Sequence, residues 1–288
     1  ACKYYWLNFI MIYCIHLFPF NRNLNEREKC VALLIDEVYA NKKIEYSNGQ
    51  FFGFKSDEPA KTLLCFMVKS VGGSYRDMVA MVPITKLTAE ILEDLETKIR
   101  DSLKKIGLKV VATITDGFSA NRKFITNKLK NSTESDNKTF YLYDSVHILK
   151  NFYTNFLNKR KLECPDFNGK KISSSMEHIE EIYYNKEHGK STKIAYKLTD
   201  KVLKPMPVER TNVQLANALF HESTIAALEF YAGENPKYQE TANFLKLIRR
   251  WFNILNVRTP RIGIQKRDND RKPVNSTDCE QLAFLESF

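Results

Sequence analysis

Two stretches of this chain, Val31-Ala-Leu-Leu-Ile-Asp36-Glu37 and Leu108-Lys-Val-Val-Ala-Thr-Ile-Thr-Asp116, share one pattern: a run rich in branched apolar side chains that stops on an acid. A short run of this kind, closed by polar or turn-forming residues such as Asn48-Gly49 or Gly117, predicts a buried strand rather than a helix. Each acid then stands near a strand end with no base beside it. For Asp36 alone, capping a turn is the plainer account, but the second copy at Asp116 favours a shared purpose. A third version, Thr139-Phe-Tyr-Leu-Tyr143-Asp144, is followed by His147 and by the amphipathic stretch Ile148, Leu149, Phe152, Phe156 and Leu157.

Between these runs, Gln50–Phe54 and Lys61–Val68 predict further strands, which with the first suggests an antiparallel meander. Leu87, Ile91, Leu92, Leu95, Ile99, Leu103 and Ile106 then recur at helical spacing, ending near Gly107. Ser119 to Lys130 predicts a second helix, with Ser119 as a candidate N-cap. The fold class expected is α/β, a mixed sheet with helices in which the Asp36 and Asp116 strands lie side by side. From about Lys159 the chain reads as polar and helical, without strands. One apolar helix runs through Leu215, Leu219, Ile225, Ala226 and Phe230, another through Phe244, Leu247, Ile248, Trp251, Phe252 and Leu255, with Gly233-Glu-Asn-Pro236 between them. Thr259–Ser276 reads as a loop or linker.

Forty-four Lys plus Arg against thirty-four Asp plus Glu give a net charge of +10 and a pI near 9.1, which suits a polyanionic partner such as nucleic acid. A hydrophobic share of 43% supplies a core and argues against a disordered chain. Cys2, Cys14, Cys30, Cys65, Cys164 and Cys279 lack C-x-x-C spacing, so neither a zinc site nor a disulfide framework is expected, and a reducing intracellular compartment fits. Tyr4–Phe20 is strongly apolar, yet it carries Asn8 and His16, lacks a small-residue cleavage site and falls short of the ~20 residues a membrane span needs. It reads as a lead-in to the first strand, with secretion as the minority reading and no membrane partner. Both ends look cut, since the chain starts on Ala1 and stops at Phe288 inside an amphipathic pattern.

Two acids at neighbouring strand ends would hold divalent cations well, because hard oxygen ligands suit Mg2+ and Mn2+ and the ion removes their repulsion. A pair of such ions roughly 3.5–4 Å apart can activate a water or 3′-hydroxyl and stabilise the leaving oxygen of a phosphodiester. A basic surface around an acidic pocket points to a nucleic-acid substrate.

Six fragments in order, Leu34-Ile-Asp36-Glu37, Thr115-Asp116-Gly117-Phe-Ser-Ala-Asn121-Arg122-Lys123, Tyr143-Asp144-Ser-Val-His147-Ile-Leu-Lys150-Asn151, Tyr196-Lys197-Leu-Thr199, Asn212-Val213-Gln-Leu-Ala216 and Phe252-Asn-Ile-Leu-Asn256, resemble P-element transposases and their THAP-domain relatives. The resemblance implies an RNase H-like mixed sheet interrupted by a mostly α-helical inserted domain that binds GTP. It implies metal-dependent cut-and-paste transposition acting on DNA transposon ends, in the nucleus, by a homo-oligomer. The expected division is a lead-in over 1–29, the RNase H-like domain over 30–158, the helical GTP-binding-type insertion over 159–275, and the start of the return to the catalytic domain over 276–288.

Carried over by position, Asp36 and Asp116 match the family's first two catalytic, metal-holding acids, and Asp144 and His147 match a motif near the catalytic core. The resemblance places the third acid beyond Phe288, since Asp278, Glu280 and Glu286 lie too early. Lys197, Val213, Phe252, Asn253 and Asn256 match GTP-contacting positions. Asn253 departs from the family's acidic residue there, and an amide does not pair with guanine's N–H donors as a carboxylate does, so weaker GTP binding and a reduced preference over ATP are expected. The family's zinc-binding THAP domain and leucine zipper have no counterpart in the sequence given. Two alternatives stay open: a domesticated, catalytically inactive relic that binds DNA or protein, and a nucleotide-regulated interaction module. Asp144 as a helix cap, His147 as a satisfied polar group, Lys197 as a solvated surface lysine and Asn256 as a helix C-terminal residue are the plain accounts of those positions.

Overall fold

The computed structural model describes residues 24–39, 45–47, 50–52, 54–55, 58–59, 61–131, 139–166, 169–257, 259 and 261–288. The apolar lead-in Tyr4–Phe20 and the Asn48-Gly49 turn lie outside them. The chain divides into two compact units, Ala1–Asp144 and Ser145–Phe288.

Five strands make the sheet of the first unit: β1 (Cys30–Tyr39), β2 (Thr62–Ser70), β3 (Arg76–Ile84), β4 (Lys109–Thr115) and β5 (Phe140–Tyr143), in the order β3-β2-β1-β4-β5. β1, β2 and β3 pair antiparallel, whereas β4 runs parallel to β1 and β5 parallel to β4. The meander therefore exists, but its members differ from those expected. Gln50–Phe52 pairs with Glu45–Ser47 in a separate small hairpin, and the third strand is Arg76–Ile84. β3 carries Pro83 and lies at the sheet edge, where a missing backbone donor is tolerated.

One face of this sheet forms the core. The registers Leu33↔Val68 and Ile35↔Phe66 put these apolar pairs together, and α1 (Ala89–Lys105) covers them with Leu92, Leu95, Ile99 and Leu103. Each such fully buried side chain contributes about 1.5–3 kcal/mol. Thr88 starts α1 by accepting a hydrogen bond from the Ile91 N–H. Gly107, at φ 86°, ends it in the left-handed region where a glycine costs least. α2 (Ser119–Asn131) adds Phe124 and Ile125 to the same core. A buried ion pair ties α1 to the sheet. Glu96, 1% exposed, pairs with Arg100 and accepts from the Thr113 hydroxyl, while Arg100 donates to Thr139 Oγ1 at 2.8 Å and Tyr141 Oη at 2.9 Å.

The second unit opens with α3 (Ser145–Lys159), whose Leu149, Tyr153 and Phe156 are buried in this unit's own core. That packing places α3 in the second unit, so the observed division precedes the compositional shift at Lys159. A hairpin then overturns the expectation of strand-free structure: β6 (Lys161–Pro165) pairs antiparallel with β7 (Lys171–Ser175). It rests on α7 (Lys237–Leu255), with the Ser175 N–H donating to Thr241 Oγ1 at 3.1 Å. α4 (Met176–Glu181) follows.

The apolar stripe from Leu215 to Phe230 is two helices rather than one, α5 (Val213–Leu219) and α6 (Glu222–Tyr231). The chain breaks at Phe220, and His221 caps α6 by accepting from the Ser223 N–H. The expected loop 259–276 contains α8 (Ile262–Lys266) and a 3-10 turn at Asn269–Arg271. Gly263 makes this compaction possible, since a Cβ there would lie 2.3 Å from the Lys272 nitrogen. α9 (Glu280–Ser287) ends the chain as described. Among the described residues no helix is long and apolar enough to cross a membrane.

Candidate active site and basic pocket

The parallel registers fix where the acids fall. Ile35 aligns with Thr115, and Thr115 with Tyr143. The next residues, Asp36, Asp116 and Asp144, therefore reach one level: Asp116 and Asp144 just follow the carboxyl ends of β4 and β5, whereas Asp36 lies inside β1, which runs on for three residues to Tyr39 rather than stopping at the acid. Ligand sites of open α/β sheets gather at these ends. Strand alternation turns Asp36 away from the core face that Ile35 occupies.

Local hydrogen bonds hold the acids. Asp36 Oδ1 accepts from the Glu37 N–H at 2.9 Å, and Asp116 Oδ1 accepts from the Phe118 N–H at 2.9 Å and from the Asn121 amide. The Asp144 N–H donates to the Thr115 carbonyl at 2.8 Å. Among the described residues no ion pair reaches Asp36, Glu37 or Asp116. Glu37 is pushed above its ordinary range by burial first and by the charges of Asp116 and Asp36, with the Thr62 hydroxyl opposing. A carboxyl raised by two neighbouring carboxylates, with no base paired to it among the described residues, marks an electrostatic setting that a cation would stabilise.

The donor set fits a divalent cation that keeps several waters, since Mg2+ takes one or two carboxylates plus substrate phosphates. Among the described residues no group of three or more potential ligands gathers at one point. Asn121, 4% exposed, was quoted in the sequence fragment but given no role. Its amide steadies Asp116, and its own Oδ1 is buried without a partner. Asp144 is the last residue of the first unit, whereas His147 lies in the first turn of α3, half-buried, in the second.

In the second unit, Phe252, Asn253 and Asn256 line one cavity of about 280 Å3 at the end of α7. Its other walls are Asn217 of α5, Arg249 of α7, Ile262 and Lys266 of α8, and Arg271. Asn253 Oδ1 accepts from Arg271 Nη2 at 2.7 Å. Val213 lies four residues before Asn217 on α5, outside the lining. Lys197 is also outside it, exposed, with its ammonium 5.4 Å from the Tyr196 ring centre. Asn256 is the exposed C-cap of α7. Sequence reasoning missed the cationic walls because they come from separate elements. Two signals pointed to them: Arg249 and Arg250 interrupting the apolar stripe of α7, and the basic residues of the stretch read as a loop.

Comparison with known proteins bears on both units. A family model described as the TNP-like RNase H N-terminal domain matches residues 19–130, and one described as the TNP-like GTP-binding insertion domain matches residues 146–267. The chain is similar to the Transposable element P transposase of Drosophila melanogaster, 24% identical over 248 residues that cover 81% of this chain and 31% of that protein. It is also similar in fold to a solved Drosophila P element transposase strand transfer complex, with a TM-score of 0.72, 22% identity and coverage of 92% of this chain and 58% of that one. The chain thus spans about a third of the curated relative it matches. With two family domains matched in consecutive order over a mixed sheet and a helical unit, the chain belongs to the P-element-type transposase family.

Proposed function

We propose that this chain carries part of the catalytic centre of a cut-and-paste DNA transposase, with Asp36 and Asp116 as ligands for Mg2+ or Mn2+ and the helical unit as a site for a purine nucleotide. The observation that carries this reading is the shared level of Asp36 and Asp116 on adjacent parallel strands, with no base paired to either among the described residues. Bound there, a divalent cation supplies charge stabilisation to a phosphodiester and sharpens the attacking oxygen. Asp36 and Asp116 fix its position, and Asn121 keeps the Asp116 carboxylate turned as it is. The net charge of +10 supports DNA as the partner, and the reading implies action in the nucleus.

In a protein that adds the remainder of the catalytic domain, Asp36→Ala or Asp116→Ala should abolish strand cleavage while DNA binding stays largely intact, because each removes a metal ligand rather than a phosphate contact. Cleavage retained in either variant would contradict the assignment.

A further inference from the structure

Asp116 does not offer its two oxygens equally. Its Oδ1 accepts from the Phe118 N–H at 2.9 Å and from the Asn121 side-chain amide, and two such donors take up both lone pairs of a carboxylate oxygen. Both donors belong to the start of α2: Phe118 directly precedes it, and Asn121 is its third residue. A metal ion approaching Asp116 therefore meets Oδ2 alone. Asp36 is less restricted, since among the described residues one donor, the Glu37 N–H, reaches its Oδ1.

The amide at position 121 is held there at a cost. Asn121 is buried, and its own Oδ1 has no hydrogen-bond partner. Buried polar atoms are nearly always satisfied, so one that is not calls for a reason. Turning the amide over would not cure it, because Oδ1 would then face Asp116 Oδ1, acceptor against acceptor. The orphaned oxygen is the consequence of aiming Nδ2 at the carboxylate. An apolar side chain of the same size would spare that cost, and the Phe118 N–H would still tie Asp116 to the start of α2. What such a side chain would lose is the second donor on Oδ1.

The number of oxygens a carboxylate presents separates hard cations. Ca2+ takes about six to eight oxygens at roughly 2.3–2.6 Å and accepts both oxygens of one carboxylate, whereas Mg2+ demands a near-octahedral set at roughly 2.0–2.1 Å and keeps several waters. Groups behind a ligand thus tune which metal it suits. We propose that Asn121 is a positioning residue that selects the cation: with the Phe118 N–H it holds Asp116 Oδ1, confines Asp116 to binding through one oxygen, and so disfavours Ca2+ relative to Mg2+. The inference rests on the reading of Asp36 and Asp116 as metal ligands and adds what decides between metals there.

Displacement of Mn2+ from residues 1–288 by Mg2+ and by Ca2+, followed through the electron paramagnetic resonance signal of the released ion, tests it. Asn121→Leu, which fills the same space without a donor, should lower the Ca2+ midpoint relative to the Mg2+ midpoint by about threefold or more. Asn121→Ala should shift the ratio in the same direction, and Asn127→Ala, elsewhere on α2, should leave it as in the parent. The infrared difference spectrum produced by Ca2+ reads the cause. In Asn121→Leu the gap between the antisymmetric and symmetric carboxylate stretches should narrow, as two oxygens engage in place of one, while in the parent it stays wide. An unchanged ratio and an unchanged spectrum in both Asn121 variants, with Mn2+ still bound, would overturn the inference and leave the metal reading standing. Equal weakening of both cations would do the same, since a side chain that only steadies the fold has no preference between them. No Mn2+ uptake by the parent chain would overturn both.

Discussion

The His178 ring is held neutral by its surroundings. Its Nδ1 lies 2.8 Å from Thr241 Oγ1, whose oxygen also accepts the Ser175 N–H. Burial pushes its pKa below the ordinary 6.5, against Glu181 and Glu177 and with help from Lys237 and Lys161. The unfolded chain therefore takes up a proton before the folded one does as pH falls. The stability this confers is full above pH 6.5 and is lost as pH falls through that value toward the folded pKa. His221, pressed down by burial and then by Arg249, adds to the loss in the same direction. Thermal midpoints measured down a pH series should drop below about pH 6.5, and His178→Gln should remove part of that drop. An identical slope in the variant would show that His178 is not responsible.

Elements stand or fall on how local their signals are. β1, β4 and α1 were legible because each carries its own apolar period, and the Ile35↔Thr115 register that levels Asp36 with Asp116 follows from those two strands being neighbours. The β6–β7 hairpin was not legible, since its exposed Lys161, Glu163 and Pro165 alternate with half-buried positions, and buried serines in β7 take the place of apolar residues. The break at Phe220 was hidden by an apolar stripe that runs on through it. The basic cavity was hidden because Asn217, Arg249, Lys266 and Arg271 meet only once α5, α7, α8 and the 3-10 turn are packed. Two element-level tests use these contacts. Arg100→Met, which leaves the buried Glu96 only the Lys128 ammonium at 3.6 Å and the Thr113 hydroxyl, should cost about 3 kcal/mol in urea unfolding. Lys98→Met, in an exposed pair with Asp94, should cost no more than ~0.5 kcal/mol. Equal effects would mean that Glu96 is not held as a charge. Gly263→Ala, whose Cβ would meet backbone of Arg271 and Lys272, should cost roughly 1–3 kcal/mol in the same urea unfolding, because that backbone must move.

At the scale of the whole molecule, a chain with net charge +10 keeps a level of carboxylates without an ion-pair partner among the described residues on the sheet of the first unit. That level suits a metal, and the net positive charge suits DNA. Residues 1–288 alone should bind duplex DNA weakly, with affinity falling steeply as salt rises. They should not cleave it with Mn2+, because among the described residues no third ligand joins Asp36 and Asp116. Metal-dependent cleavage by this chain would show that another of its residues completes the site. The claim on which the rest depends is that Asp36 and Asp116 together hold a divalent cation, and the most direct measurement is the electron paramagnetic resonance signal of free Mn2+ during titration of the protein. Saturable loss of that signal, abolished by Asp36→Ala and by Asp116→Ala in proteins with unchanged circular dichroism, is the predicted result. Mn2+ uptake that is absent in the parent chain, or unchanged in both variants, would contradict it.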